Sequence, residues 1–459
     1  MKQVNRAAAV ILALGLLVLA LALIGVAGWP YVRAEALRQQ ATIEPKQVGN
    51  APAEVAGYRL WTLSIPLDVN WTQSVAPVAA MDTAGRMHVV WKDGWWGAGI
   101  PYYPWAIRYA RRRPDGTWTT PISLAEGEEP AIAADGQGNV YAVWVAERLE
   151  GARRYYGVYY RRWDGSSQAW GPQSTVIEYP WSRYVDEWPY SPTIAADDQG
   201  NLYVAWVHYR NRDRDINYRR WDAASESWSS VHNVSNNDYA SAEPDIVVSE
   251  GQPHLVWRDG DRVHYSRWDP TSGSWLAPTK LGSPGYNPAI AATDNGHIHV
   301  AWSQYVSADD RWVIHYRRWD GSNWSGYTSI TWFIGAPEWY QALEPDMVAV
   351  GNDLYIFWQW QEQETPDYDF IFYRQWIAAE GDWESHAYSV PIFRDAEVPA
   401  VVADGDGELH LVYAGWVDDA CSEFDIFYTT TKDGTLLPWG PPPTTTPIPC
   451  PASPTPTPT

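Results

Sequence analysis

Cysteine is almost missing from this chain: only Cys421 and Cys450 occur in 459 residues. A multi-disulfide scaffold is therefore excluded. The pair suits an exported protein that closes one bridge, stabilising by roughly 3 to 4 kcal/mol in the chain-entropy model, or else two unpaired thiols. Basic residues are short as well, 33 Lys and Arg against 55 Asp and Glu. The resulting charge of -22 excludes a nucleic-acid partner, whose phosphates demand a basic surface. The ten histidines show no zinc spacing, and neither a phosphate-cradling loop nor a nucleophile elbow occurs. No metal or cofactor is expected.

Long hydrophobic runs are missing too, with one exception. Residues 7 to 28, "AAAVILALGLLVLALALIGVAG", follow Lys2 and Arg6 and are long enough to span a bilayer. Residues 1–36 are read as a membrane anchor or as a signal peptide cleaved near Ala34-Glu35-Ala36, and both place the remainder outside the cytoplasm, secreted or held at the cell membrane. Membrane contact is expected through this segment alone. A linker covers 37–52, and a Pro/Thr-rich tail over 441–459 cannot build a core.

What is abundant is Trp and Tyr, 31 and 29, against 7 Phe and 4 Met. These aromatics favour strands and point to an all-β protein. They also recur in order. "PAIAADGQGNVYAVW" at 130 returns as "PTIAADDQGNLYVAW" at 192 and "PAIAATDNGHIHVAW" at 288. Aligning on the opening proline gives seven units, at Pro77, Pro130, Pro192, Pro244, Pro288, Pro345 and Pro399.

Each unit carries three further signals. An alternating strand ends on Trp91, Trp144, Trp206, Trp257, Trp302, Trp358 or Tyr413; a second contains Tyr109, Tyr160, Tyr218, Tyr265, Tyr316, Tyr373 or Tyr428; a third begins at Trp118, Trp170, Trp228, Trp275, Trp324 or Trp383. Four short antiparallel strands per unit make a propeller blade. Residues 53–440 are therefore expected to form a seven-bladed β-propeller, a monomer. The seventh unit lacks its fourth strand, which "YRLWTLSIPLDV" at 58 to 69 can supply, Trp61 lying as far before Pro77 as Trp228 lies before Pro244. "LLPWGPPP" with Trp439 competes for that edge, but a proline run makes a poor strand. The repeated Trp and Tyr are assigned to packing, each buried Trp removing roughly 150 to 250 Å² from water.

The turns between third and fourth strands read "RRPDGTW", "RRWDGSSQAW", "RWDPTSGSW" and "RRWDGSNW". Asp and Gly a few residues before Trp resemble the Asp-box, or BNR, repeat of sialidase-like propellers. The box here is degenerate, with Trp or Pro before the Asp. The resemblance implies the propeller fold. It would also imply an Arg-Ile-Pro segment, a carboxylate-gripping arginine triad, a Tyr/Glu nucleophile pair and an Asp acid/base, but no Arg-Ile-Pro occurs. The arginines that are present, Arg161, Arg162, Arg219, Arg220, Arg317 and Arg318, stand beside the turn Asp, where a local ion pair or turn bond accounts for them. "DGDGE" at 404 to 408 falls in a first-to-second-strand turn, where Asp and Gly serve geometry as readily as calcium.

In a propeller the first-to-second and third-to-fourth strand turns share one face, and here they are short. The long connections share the other face, the usual place for binding. They carry Trp95, Trp96, Tyr102, Tyr103, Trp105, Trp181, Asp186, Glu187, Trp188, Trp339, Tyr340 and Trp360, aromatics and acids suited to sugar rings or a protein partner. Glu129, Glu243 and Glu344 precede their prolines directly and Glu397 stands two before Pro399, so carboxylates are expected around the channel mouth. There they accept backbone bonds, recruit a cation, or serve glycoside chemistry. The first expectation is a non-catalytic module binding carbohydrate or a cell-surface protein. A sialidase-type glycoside hydrolase and a protein-interaction scaffold are the alternatives.

Overall fold

A computed structural model describes residues 61–62, 64–68, 73–94, 105–331, 340–362, 369–390, 392, 396–416 and 424–431. The ordered elements there are strands, grouped in seven antiparallel sheets. In blade 1 the order from the axis outward is Gln73–Met81, Met87–Gly94, Ala106–Arg112 and Ile122–Glu126. The innermost strands of blades 2 to 7 are Glu128–Ala134, Glu187–Ala196, Ser241–Ser249, Tyr286–Ala292, Tyr340–Val350 and Ala396–Ala403. Each innermost strand neighbours the next, and the last neighbours the first, which closes the ring.

Closure uses the N-terminal strand, as expected. Ile65–Pro66 pairs antiparallel with Phe424–Thr430, opposite Tyr428 and Phe427. Thr62 extends the contact through its amide, which donates to the Thr430 carbonyl at 2.8 Å. Trp61 is buried edge-on against Phe357 and Tyr373. Trp439, Cys421 and Cys450 lie outside the described residues, as do 1–36, 37–52 and 441–459.

Seven hydrophobic clusters form the core, and each is built by two consecutive blades. Trp91, Trp144, Trp206, Trp257, Trp302, Trp358 and Tyr413 are wholly buried at equivalent places. The other two aromatic signals meet each other. The third-strand Tyr of one blade takes the fourth-strand Trp of the next at its edge: Tyr109 with Trp170, Tyr160 with Trp228, Tyr218 with Trp275, Tyr265 with Trp324, Tyr316 with Trp383, Tyr373 with Trp61 and Tyr428 with Trp118, at centroid distances of 4.8 to 5.9 Å. Such edge contacts add about 0.5 to 1.5 kcal/mol each beyond area burial.

Turn chemistry explains the remaining recurrent letters of the repeat. In "DGQGN", Asp135 Oδ1 accepts the amides of Gln137 and Asn139, while Oδ2 accepts the Tyr141 hydroxyl. Gly138, at φ +80°, makes the reversal without strain. Asp404 of "DGDGE" does the same work, accepting the amides of Asp406 and Glu408. The box aspartates cap their own turns: Asp164 accepts from Ser166 and Ser167, Asp320 from Ser322 and Asn323. The arginines divide by position. Arg162 and Arg220 pair with Asp164 and Asp222, as expected. Arg219 and Arg317 instead donate to two carbonyls, one in their own blade (Ser229, Ser325) and one in the preceding blade (Val176, Leu281). The bond within the blade is the local one expected; the second was not foreseen and ties neighbouring blades together.

Candidate functional site

The seven opening prolines mark a backbone device. In every blade the register of the innermost strand slips at the residue before proline, forming a bulge. That residue sits in the left-handed region each time: Ala76, Glu129, Ser191, Glu243, Asn287, Glu344 and Val398 have φ between +45° and +53°. Non-glycine residues, and a β-branched Val above all, adopt this only under strain. A bulge also leaves an amide without its ladder partner, and buried amides require one.

Two of the predicted channel glutamates supply it. Glu129 Oε2 accepts the amide of Ser191 at 2.5 Å, and Glu243 Oε2 accepts that of Asn287 at 2.7 Å. In both cases the bulge residue of one blade satisfies the bulge amide of the next. Glu243 is further held by Arg258, whose Nη2 lies 2.7 Å from Oε1, and the Arg258 guanidinium rests over the Tyr286 ring. Burial raises the Glu129 carboxyl above its ordinary range, with the Ser191 bond pulling the other way. Tyr190 stands in the same field, within electrostatic reach of Arg214, Glu129, Arg258 and Glu243.

Glu344 differs from its counterparts. Its own amide donates to Ser303 Oγ at 3.1 Å, yet its buried Oε2 has no hydrogen-bond partner among the described residues. Burial, then repulsion from Asp369 and Glu243, raises its carboxyl. Glu397 takes part in the bulge of blade 7, opposite Ala414.

A second acidic tier, one residue after the proline, was missed from sequence. Asp245 Oδ2 accepts the Ile290 amide at 2.9 Å and Asp346 Oδ2 accepts the Val401 amide at 2.7 Å, again joining one blade to the next. Burial pushes Asp245 up to about 6 and Asp346 up to about 7, and Asp245 repels Asp346. A signal was available: Pro-Asp occurs at 244 and 345 where other units have Pro-Val, Pro-Ala or Pro-Thr.

The loop-face residues separate into three groups. Trp95, Trp96, Tyr102, Tyr103 and Trp339 lie outside the described residues, and Tyr340 is described only as the first residue of its strand. Trp360 belongs to the core: it is 5% exposed, packed on Trp358 and Phe372, because the strand Asp353–Glu362 continues its alternation through it. Its expected place on the binding surface is corrected. Trp105 is half-buried beneath the Lys92 ammonium, 4.0 Å from the ring.

The third group is open to solvent and gathers at the start of blade 3. Trp188 pairs across strands with Tyr209 and stacks on it at 4.1 Å and 22°, and still keeps 38% of its surface exposed. Trp181 and Tyr184 precede it at 57% and 83% exposure. Asp186 is fixed by two bonds to Asn211, its carbonyl accepting the Asn211 amide and its amide donating to Asn211 Oδ1. Glu187 takes His208 Nε2 at 2.9 Å.

No protein-family model matches this sequence, and no curated protein matches it. Solved structures do resemble it. A fungal alcohol oxidase of the AA5 family, in complex with copper, is similar at 12% identity and a TM-score of 0.51 over 81% of this chain and 76% of its own. The polysaccharide lyase Uly1 is 12% identical with a TM-score of 0.48, over 77% and 89%. The intramolecular trans-sialidase of Ruminococcus gnavus is 10% identical with a TM-score of 0.44, over 84% and 99%. At such identities the likeness is one of fold alone, and the fold it shares is the β-propeller.

Proposed function

We propose that the long-loop face is a carbohydrate-binding surface without catalysis, centred on blade 3, on an exported or membrane-anchored protein. The stacked Trp188–Tyr209 pair carries this reading. A stacked ring is already ordered, so a ligand that covers it loses little side-chain entropy, and the open indole face matches the apolar face of a pyranose. Asp186, two residues before Trp188, stands on anchored backbone and can accept hydrogen bonds from sugar hydroxyls, whereas Glu187 points to the opposite strand face, toward His208. Glu129 and Glu243, the residues a hydrolase would need free, are engaged with amides of the next blade. Arg258 is neutralised by Glu243 and is not available to grip a sialate carboxylate.

The test is a glycan array probed with the wild-type chain and with Trp188→Ala and Trp181→Ala. Wild-type binding that falls about tenfold in Trp188→Ala supports the reading. A blank array, with a surface protein captured through the same residues, replaces it with the protein-partner alternative.

Glu344 favours a second reading. A carboxyl raised by burial, with one oxygen unengaged among the described residues and Asp369 and Glu243 near enough to repel it, is shifted in the sense a glycosidic general acid requires. Release of fluorophore from an aryl glycoside panel, abolished by Glu344→Gln, would establish it.

A further inference from the structure

The interface between blades 2 and 3 differs from the one before it. Between blades 1 and 2, Trp163 is sealed: it is 2% exposed, with His88 at 4.6 Å and the guanidinium groups of Arg86 and Arg111 over its ring at 4.6 and 5.1 Å. The equivalent ring one interface on is Trp221, which is only half-buried. Two replacements explain the difference. The place of Arg86 is taken by Asn139, whose short side chain is tied to Asp135 and to the Gly165 amide. The place of Arg111 is taken by Arg162, which turns to Asp164 in its own blade, whereas blade 1 has Arg113 at that position and offers no such partner.

The space left open is a cleft of about 1080 Å³ on the short-turn face, opposite the loops. Small-ligand sites run to roughly 1,000 Å³, so this volume suits a chain of sugars better than a single ring. Its walls carry Trp221, the ion pairs Arg162–Asp164 at 3.5 Å and Arg220–Asp222 at 3.3 Å, and Gln137, whose Nε2 bridges the two blades by donating to the Gln199 carbonyl. Each arginine there already has its aspartate, so the pairs present donors and acceptors side by side, and Glu226 adds a further acceptor with a single negative charge. That is the complement of a neutral polyhydroxyl compound, whose hydroxyls both give and take hydrogen bonds, while an aromatic ring covers the C–H face.

We propose that this interblade cleft binds a neutral oligosaccharide, stacked on Trp221 and hydrogen-bonded to the two Arg–Asp pairs. It is separate from the loop-face surface and does not depend on it. Two sites on opposite faces of one disc would let the protein bridge two glycan chains.

The experiment titrates the full chain with neutral hexasaccharides (β-1,4-glucan, β-1,3-glucan and β-1,4-mannan) and with an acidic hexagalacturonide, by calorimetry, for wild type, Trp221→Ala, Arg162→Ala and Trp188→Ala. Arg162 is half exposed, so its truncation leaves the fold intact, and thermal unfolding checks Trp221→Ala. The expected result is binding of at least one neutral hexamer, weakened about tenfold or more in Trp221→Ala and Arg162→Ala and unchanged in Trp188→Ala. The proposal is overturned by no neutral binding up to roughly 10 mM, by binding of the acidic hexamer alone, or by neutral binding that only Trp188→Ala weakens. That last outcome would leave the loop-face reading standing.

Discussion

The outer half of each blade interface and the lining of the axis follow opposite rules. Outside, one contact is made seven times, Tyr against the edge of Trp. At the axis the backbone repeats equally well, with the same bulge and the same positive φ, yet the side chains on it run Ala76, Glu129, Ser191, Glu243, Asn287, Glu344, Val398. The difference lies in what each position must satisfy. A third-strand Tyr is pressed against a neighbouring blade and admits one shape; a bulge residue needs only some group nearby to take its neighbour's amide. Packing conserves the first, and the second is left open to chemistry.

Truncating a ring of the repeated set should therefore have the largest effect. Trp358→Ala removes a wholly buried indole shared by blades 5 and 6 and is expected to cost about 3 to 5 kcal/mol in denaturant unfolding. Trp181→Ala, an equally large deletion at 57% exposure, should stay within about 0.5 kcal/mol. Equal losses would mean that the loop-face ring is packed as tightly as the core. Trp61→Ala comes next, at about 3 kcal/mol, because Trp61 fills the seventh Tyr–Trp place from a short strand at the sheet edge. Near-neutral behaviour there would show that the ring closes without it.

The same division governs what could be read from the letters. Seven prolines, seven tyrosines and the matching tryptophans fixed blade number, strand order and ring closure, because a packing contact repeated in space must repeat in sequence. That the second and third signals touch across blades was not legible, since nothing local in "IHY" or "SNW" names the partner. Val398 in the left-handed region is marked only by the proline after it, since a β-branched side chain by itself argues against that conformation. Glu129 and Glu243 were found at the axis by their position before proline, but their bonds to the next blade required the ring. Trp360 was placed on a loop because "QWQEQETPDYD" reads as irregular, although Trp358 and Trp360, two apart, share a strand face.

The axis can also be separated from the interfaces by pH. Asp346 and Asp245, raised to about 7 and about 6 from an ordinary 3.8, keep protons in the folded protein that the unfolded chain has already released. The stability tied to those protons is complete below about pH 4 and is lost as pH rises to about 7, at up to about 1.4 kcal/mol per pH unit for each. The interfaces titrate in the other sense. His254 and His299, bonded to Tyr265 and Tyr316, are held by burial at about 4 and about 3, so their contribution is lost as pH falls below 6.5. A wild-type profile mixes the two, but the histidines cancel when Asp346→Asn is subtracted from it. Urea midpoints between about pH 4.5 and 8 should favour wild type most at the acid end, with the difference moving toward Asp346→Asn by on the order of 3 kcal/mol as pH rises to about 7. Parallel profiles would show that Asp346 is ionised throughout, and that the axis is wetter and less coupled than its two acidic tiers imply.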